Sequence, residues 1–156
     1  MKKVIVLVAL LMSAFTTSLL AQDASATRQK QFNLDDQVAI KGYDPVAYFK
    51  LNKAVKGSKN LSVSHQGIIY YFSSIENREE FKKNPPSYEP QYGGWCAYAM
   101  GAKGEKVSID PETFKIINGK LYLFYHSYFN NTLPSWNKDE SNLKTKADAN
   151  WTKIYR

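Results

Sequence analysis

From Phe32 onward, apolar and polar residues alternate in short blocks, each closed by Gly, Pro or Asn. Asp44-Pro45 reads as a helix start, with Asp44 as cap and Pro45 at the first position, leading into Val46–Phe49. Leu61–His65 and Ile68–Ser73 read as two strands joined at Gln66-Gly67, which predicts a hairpin. Ser74–Asn84 has helical spacing, with Ser74 and Asn77 approximating a capping arrangement and Ile75 and Phe81 on its inner face, and Pro85-Pro86 stops it. A Tyr- and Pro-rich loop, Ser87–Gly94, precedes a short helix over Trp95–Met100. A second hairpin is expected for Phe114–Ile117 and Leu121–Tyr125, joined by Asn118-Gly119, the strongest hairpin dipeptide. Helices near Ser127–Leu133 and Asn142–Ile154 close the chain. Strands and helices mix without strict alternation, which predicts a small single α+β domain with two β-hairpins and several short helices.

The N-terminus follows a different pattern. Lys2 and Lys3 precede an apolar run, Val4–Phe15, and a short stretch ending at Ala21. This is the layout of a secretory signal peptide over residues 1–21, and its apolar run is too short for a permanent membrane span. Gln22–Gln31 is polar and is expected to be a flexible leader, which leaves 32–156 as the folded domain. The expected location is periplasmic or secreted, with no permanent membrane span after cleavage.

The charge changes this picture little. The whole chain carries +7, and with Lys2 and Lys3 removed 19 basic residues face 14 acidic ones. The basic residues are scattered rather than gathered in a stripe, so nucleic acid is not an expected partner. Cys96 is the only cysteine, so no internal disulfide can form, and stability must come from a core rich in Tyr, Phe and Trp. An unpaired thiol in an oxidising compartment is expected to be either buried or used.

Four segments share one resemblance. They are Lys41–Phe49, Gly67–Ser74 with Phe81, Asn84, Pro85 and Tyr88 after it, Pro90–Ala99, and Lys146–Trp151. Together they resemble the exported YHS-domain proteins of bacteria over roughly residues 36–154. The resemblance implies a YHS or treble-clef-like core. It also implies a metal site in the wider group, built on the pattern Asp-Pro-Val-Cys followed by Tyr-Phe-Cys-Ser-x-x-Cys. The matching positions in this chain are Ala47, Ser73 and Asn77, so all three thiols are absent and that site does not carry over. Cys96, in Gly93-Gly94-Trp95-Cys96-Ala97, resembles a position where some exported members carry selenocysteine, and this implies a functional chalcogen.

Three functions stay open on these residues. The first is binding of a metal ion, copper or zinc, or of a small molecule at a pocket containing Cys96. Met100, one helical turn from Cys96, and the nitrogens of His65 and His126 would be further metal donors, while Tyr43 and Asp44 could orient a ligand. The second is a thiol-dependent redox enzyme with Cys96 as nucleophile, helped by amides at a helix start. The third is a structural or partner-binding domain in which Cys96 and Met100 fill the core and Asp44 is a helix cap.

Overall fold

The computed structural model describes residues 24–155. The signal peptide expected over 1–21 lies outside them. The first described element, α1, covers 24–31, where a flexible leader was expected. Its polar side chains find partners on the domain. Gln29 donates to the Gly67 carbonyl at 2.7 Å, Arg28 pairs with Glu89, and the Arg28 guanidinium lies 4.5 Å from the Phe32 ring centroid. The Gln31 carbonyl accepts from the Trp95 indole at 2.7 Å. Low apolar content alone does not free a segment that is tied to the domain by several side-chain contacts.

The main sheet has four strands, β1 (Leu34–Asp35), β2 (Val38–Ala39), β3 (Ser58–His65) and β4 (Ile68–Phe72), in the order β1-β2-β4-β3. The expected first hairpin is β3–β4, turning at Gln66 and Gly67, both with positive φ as a tight primed turn requires. β2 joins β4 in parallel, with Val38 opposite Ile69. Helix α2 (Pro45–Leu51) and helix α3 (Ile75–Lys83) pack together at the end of this sheet. Both start as the sequence predicts, with Asp44 capping α2 and Ser74 capping α3, but of the two residues expected on the inner face of α3 only Phe81 is buried, and Ile75 is exposed.

The second half begins with helix α4 (Ala97–Lys103), followed by the hairpin β5 (Asp110–Ile117) and β6 (Lys120–Phe124) across Asn118-Gly119. Helices α5 (Leu133–Lys138) and α6 (Glu140–Ile154) finish the fold. One expected helix is absent as such. Ser127–Leu133 contains instead a short hairpin, β7 (His126–Ser127) and β8 (Asn130–Asn131), and α5 starts only at Leu133. The Asn131 side chain accepts from the Leu133 N–H, and Pro134 follows at the second helical position, so the helix signal belongs to the later residue.

Apolar side chains divide between two adjoining clusters. One, around Val46, Tyr48, Ile68, Tyr70, Phe72, Phe81 and Cys96, joins the main sheet to α2 and α3 and reaches α4 and β6 through Cys96, Ala99, Leu121 and Leu123. The other, around Tyr92, Met100, Tyr122, Phe124, Trp136 and Leu143, joins β6 to α4, α5 and α6. Burial of each such ring contributes roughly 1.5–3 kcal/mol. Helices α4 and α6 approach closely enough that a Cβ at Gly101 would lie 2.4 Å from the Leu143 carbonyl oxygen.

Candidate functional site

Cys96 stands immediately before α4, as its cap residue rather than within its first turn. Its backbone N–H donates to the Val107 carbonyl at 2.9 Å, and the residue is 0% exposed. The thiol has two polar neighbours. The Tyr125 N–H donates to Sγ at 3.3 Å, and the Thr132 hydroxyl lies 3.5 Å away. The Thr132 hydroxyl proton is used on the Tyr125 carbonyl, at 2.9 Å. The thiol proton is therefore the one left to bridge Sγ and Thr132 Oγ1, so a neutral Cys96 is satisfied as both donor and acceptor. This small ring of bonds ties the start of α4 to the end of β6 and the start of α5.

Above this ring lies a cavity of about 350 Å³. The face of α4 bearing Ala99 and Ala102 forms one wall, and Val107, Tyr98 and Tyr125 supply further apolar surface. Lys103, Glu105 and Asn130 add polar groups to the lining, and Thr132 joins it from the ring below. Cys96, Ala99 and Ala102 recur at three-residue spacing, which puts them on one helical face. That run of small residues was the readable signal for the cavity. Tyr125 and Thr132 come from 29 and 36 residues further along the chain, and no local pattern marks them.

The other sequence-predicted residues do not gather here. None of Tyr43, Asp44, His65, Met100 and His126 lines the cavity. Met100 is fully buried, but in the second apolar cluster, whereas Cys96 belongs to the first. His65 ends β3 with its ring edge-on to Phe81 at 6.2 Å. His126 opens β7, with Nδ1 3.1 Å from Thr113 Oγ1 and 3.4 Å from Asp110 Oδ2. Tyr43 donates to Glu112 at 3.1 Å, and partial burial together with that carboxylate raises its pKa. Among the described residues, no three His, Cys, Asp or Glu side chains are placed to hold a metal ion. The donor set suggested for copper or zinc thus does not fit this arrangement.

Asp44 is the second polar focus, and it is 0% exposed. Its Oδ1 accepts from the N–H groups of Val46 and Ala47, at 2.9 and 3.3 Å. Its Oδ2 accepts from the Ser73 N–H at 2.8 Å, the Ser73 hydroxyl at 2.6 Å and the Asn77 amide at 2.8 Å. One carboxylate therefore fixes the start of α2, the end of β4 and the first turn of α3. Three of its partners, Ala47, Ser73 and Asn77, are the positions at which the sequence pattern lacks cysteines.

A second cavity, of about 290 Å³, lies between Phe32, Tyr92 and Trp151, with Glu89 and Asp148 at its edge. Both carboxylates already have partners. Glu89 accepts from Tyr70 at 2.6 Å and from Arg28, and Asp148 accepts from Tyr92 and Lys144, both at 2.8 Å. The Cys96 cavity is larger, and its Lys103 and Glu105 make no ion pair among the described residues.

Searches for relatives find no matching family, curated protein or solved structure.

Cys96 should react slowly with iodoacetamide in the folded protein, by about a hundredfold or more relative to the chain in 6 M guanidinium chloride. Comparable rates in the two states would place a reactive thiol at the surface and contradict the buried ring of bonds.

Proposed function

We propose that this chain is an exported YHS-domain protein whose Cys96 cavity holds a small organic molecule, with an apolar body against α4 and a polar head toward Lys103 and Asn130. The observation that carries this reading is the cavity itself. At about 350 Å³ it falls in the size range of small-molecule sites, and its lining combines apolar surface from Tyr98, Ala99, Ala102 and Val107 with a few polar groups. Export rests on the N-terminal pattern of a charged start and a short apolar run. The family assignment is supported by the convergence of Ala47, Ser73 and Asn77 on Asp44. Positions that carry metal-binding thiols in the wider group meet here around a carboxylate and its hydrogen-bond donors.

A small-molecule ligand is favoured over a metal because the thiol, the thioether and the imidazoles are dispersed. The redox-enzyme alternative needs an accessible, activated thiol, whereas Cys96 is fully buried with its hydrogen bonds satisfied. The cavity can be tested with 1-anilinonaphthalene-8-sulfonate, a probe with an apolar body and an anionic head. The folded protein should enhance its fluorescence saturably. Ala102 is exposed at the cavity wall, so Ala102→Trp should fill the space without disturbing either core cluster, weakening probe binding by about tenfold or more. Equal binding by this variant, or no binding by the parent chain, would overturn the proposal.

A further inference from the structure

Hairpin β7–β8 ends in two adjacent aromatic residues, Tyr128 and Phe129, which are 102% and 101% exposed. Every other Phe among the described residues, and every other Tyr, is far more enclosed; Tyr155 comes next at 37%. The two rings stand side by side, tilted by 44° with centroids 6.4 Å apart, and neither is covered. Ser127 pairs with Asn130 and His126 with Asn131, so the backbone of the tip is organised and its rings project outward.

We infer that this tip is an anchor for an anionic lipid surface, with Tyr128 and Phe129 entering the headgroup boundary. Shape, chemistry and charge all favour a bilayer as the occupant. The tip is a narrow projection carrying two rings, each offering about 150–250 Å². A stable protein interface needs about 1,000 Å² or more, and a projection of this size supplies only part of that. A lipid surface has no such requirement, because two rings can enter it while charge adds the rest of the attraction. Two paired residues per strand reach about 7 Å, which matches the 5–10 Å depth of the boundary layer. Tyr and Phe both suit that layer, since Tyr places a polar hydroxyl at the wet end of an apolar ring.

The electrostatics point the same way. No Asp or Glu occurs between His126 and Leu133, so the tip itself carries no carboxylate; the nearby ones, Asp110 beside His126 and Glu105 beside the Asn130 cavity, belong to other segments. Without Lys2 and Lys3 the chain still has 19 basic residues against 14 acidic ones, and this net positive charge, though scattered, favours an anionic bilayer over a neutral one.

The test uses the full chain and vesicles of phosphatidylcholine, with or without about 30% phosphatidylglycerol. In one arm, Tyr128→Cys is labelled with an environment-sensitive fluorophore, Cys96 being too buried to compete for label. Anionic vesicles should shift this emission to the blue, and lipids carrying a quencher near the headgroup should quench it. In the second arm, the double variant Tyr128→Ser, Phe129→Ser should bind anionic vesicles about tenfold or more weakly, with an unchanged melting temperature because both rings are fully exposed. The apolar run at residues 4–15 is common to all variants, so differences between them report on the tip. An unshifted fluorophore, or equal binding by the double variant, would overturn the inference. So would self-association of the parent chain that the double variant abolishes, because that would make a second copy the occupant of the tip.

Discussion

Asp44→Ala should lower the stability of the folded chain by about 3–5 kcal/mol, a large fraction of what a domain of this size possesses. The carboxylate accepts five hydrogen bonds in a site without solvent exposure. Removing it leaves two helix-start amides, the Ser73 amide and hydroxyl, and the Asn77 side chain facing a cavity. Each unsatisfied buried donor costs about 1–3 kcal/mol, less whatever local relaxation recovers. Asp44→Asn keeps the shape and one acceptor oxygen, but turns an NH₂ toward N–H donors. It should cost about 2–3 kcal/mol. Urea denaturation checks both, through a lower midpoint at an unchanged slope. A loss under about 1 kcal/mol for Asp44→Ala would mean that the node does not hold α2, β4 and α3 together.

Alkali should unfold the protein cooperatively above pH 10, driven by buried tyrosines. Burial is the main cause that raises the Tyr48, Tyr70 and Tyr92 pKa values far above the ordinary value, and carboxylates add to it, Glu89 at Tyr70 and Asp148 at Tyr92. Burial raises Tyr122 as well. With pKa values raised in the folded state, the unfolded chain ionises first. Stability is therefore intact below pH 10, the ordinary tyrosine value, and falls as pH rises above it. Tyr48, Tyr70 and Tyr92 each remove about 1.4 kcal/mol per pH unit in that window, or about 4 kcal/mol per unit together. Absorbance at 295 nm and far-ultraviolet circular dichroism, followed together, check this. The late tyrosine ionisation and the loss of secondary structure should coincide. Complete tyrosine titration in a chain that stays folded would contradict the buried positions of these rings.

The elements most legible in the sequence were those with a local cause. Asp44-Pro45 and Ser74 mark helix starts, and Asn118-Gly119 and Gln66-Gly67 mark turns, because each fixes backbone geometry by itself. The β7–β8 hairpin was not legible. Its strands have only two residues each, too short for a period of two to register, and its aromatic residues look like the buried face of a helix. Helix α1 was missed because its order comes from distant partners, Glu89, Gly67 and Trp95. At the site, Cys96 could be singled out as the lone thiol, but the groups that bind it could not. Tyr125 and Thr132 reach Sγ through tertiary packing, and the same packing sends Met100 into the other cluster. Helical spacing brought Cys96 and Met100 to neighbouring turns, but it did not specify which core each would enter.

The most direct test of the Cys96 cavity as a ligand site is a titration of ¹⁵N-labelled protein with 1-anilinonaphthalene-8-sulfonate, followed by amide chemical shifts. Saturable changes are expected at Tyr98, Ala99, Ala102, Val107 and Tyr125, the residues around the cavity. Changes confined to Phe32, Tyr92 and Trp151, or no saturable change at any amide, would contradict it.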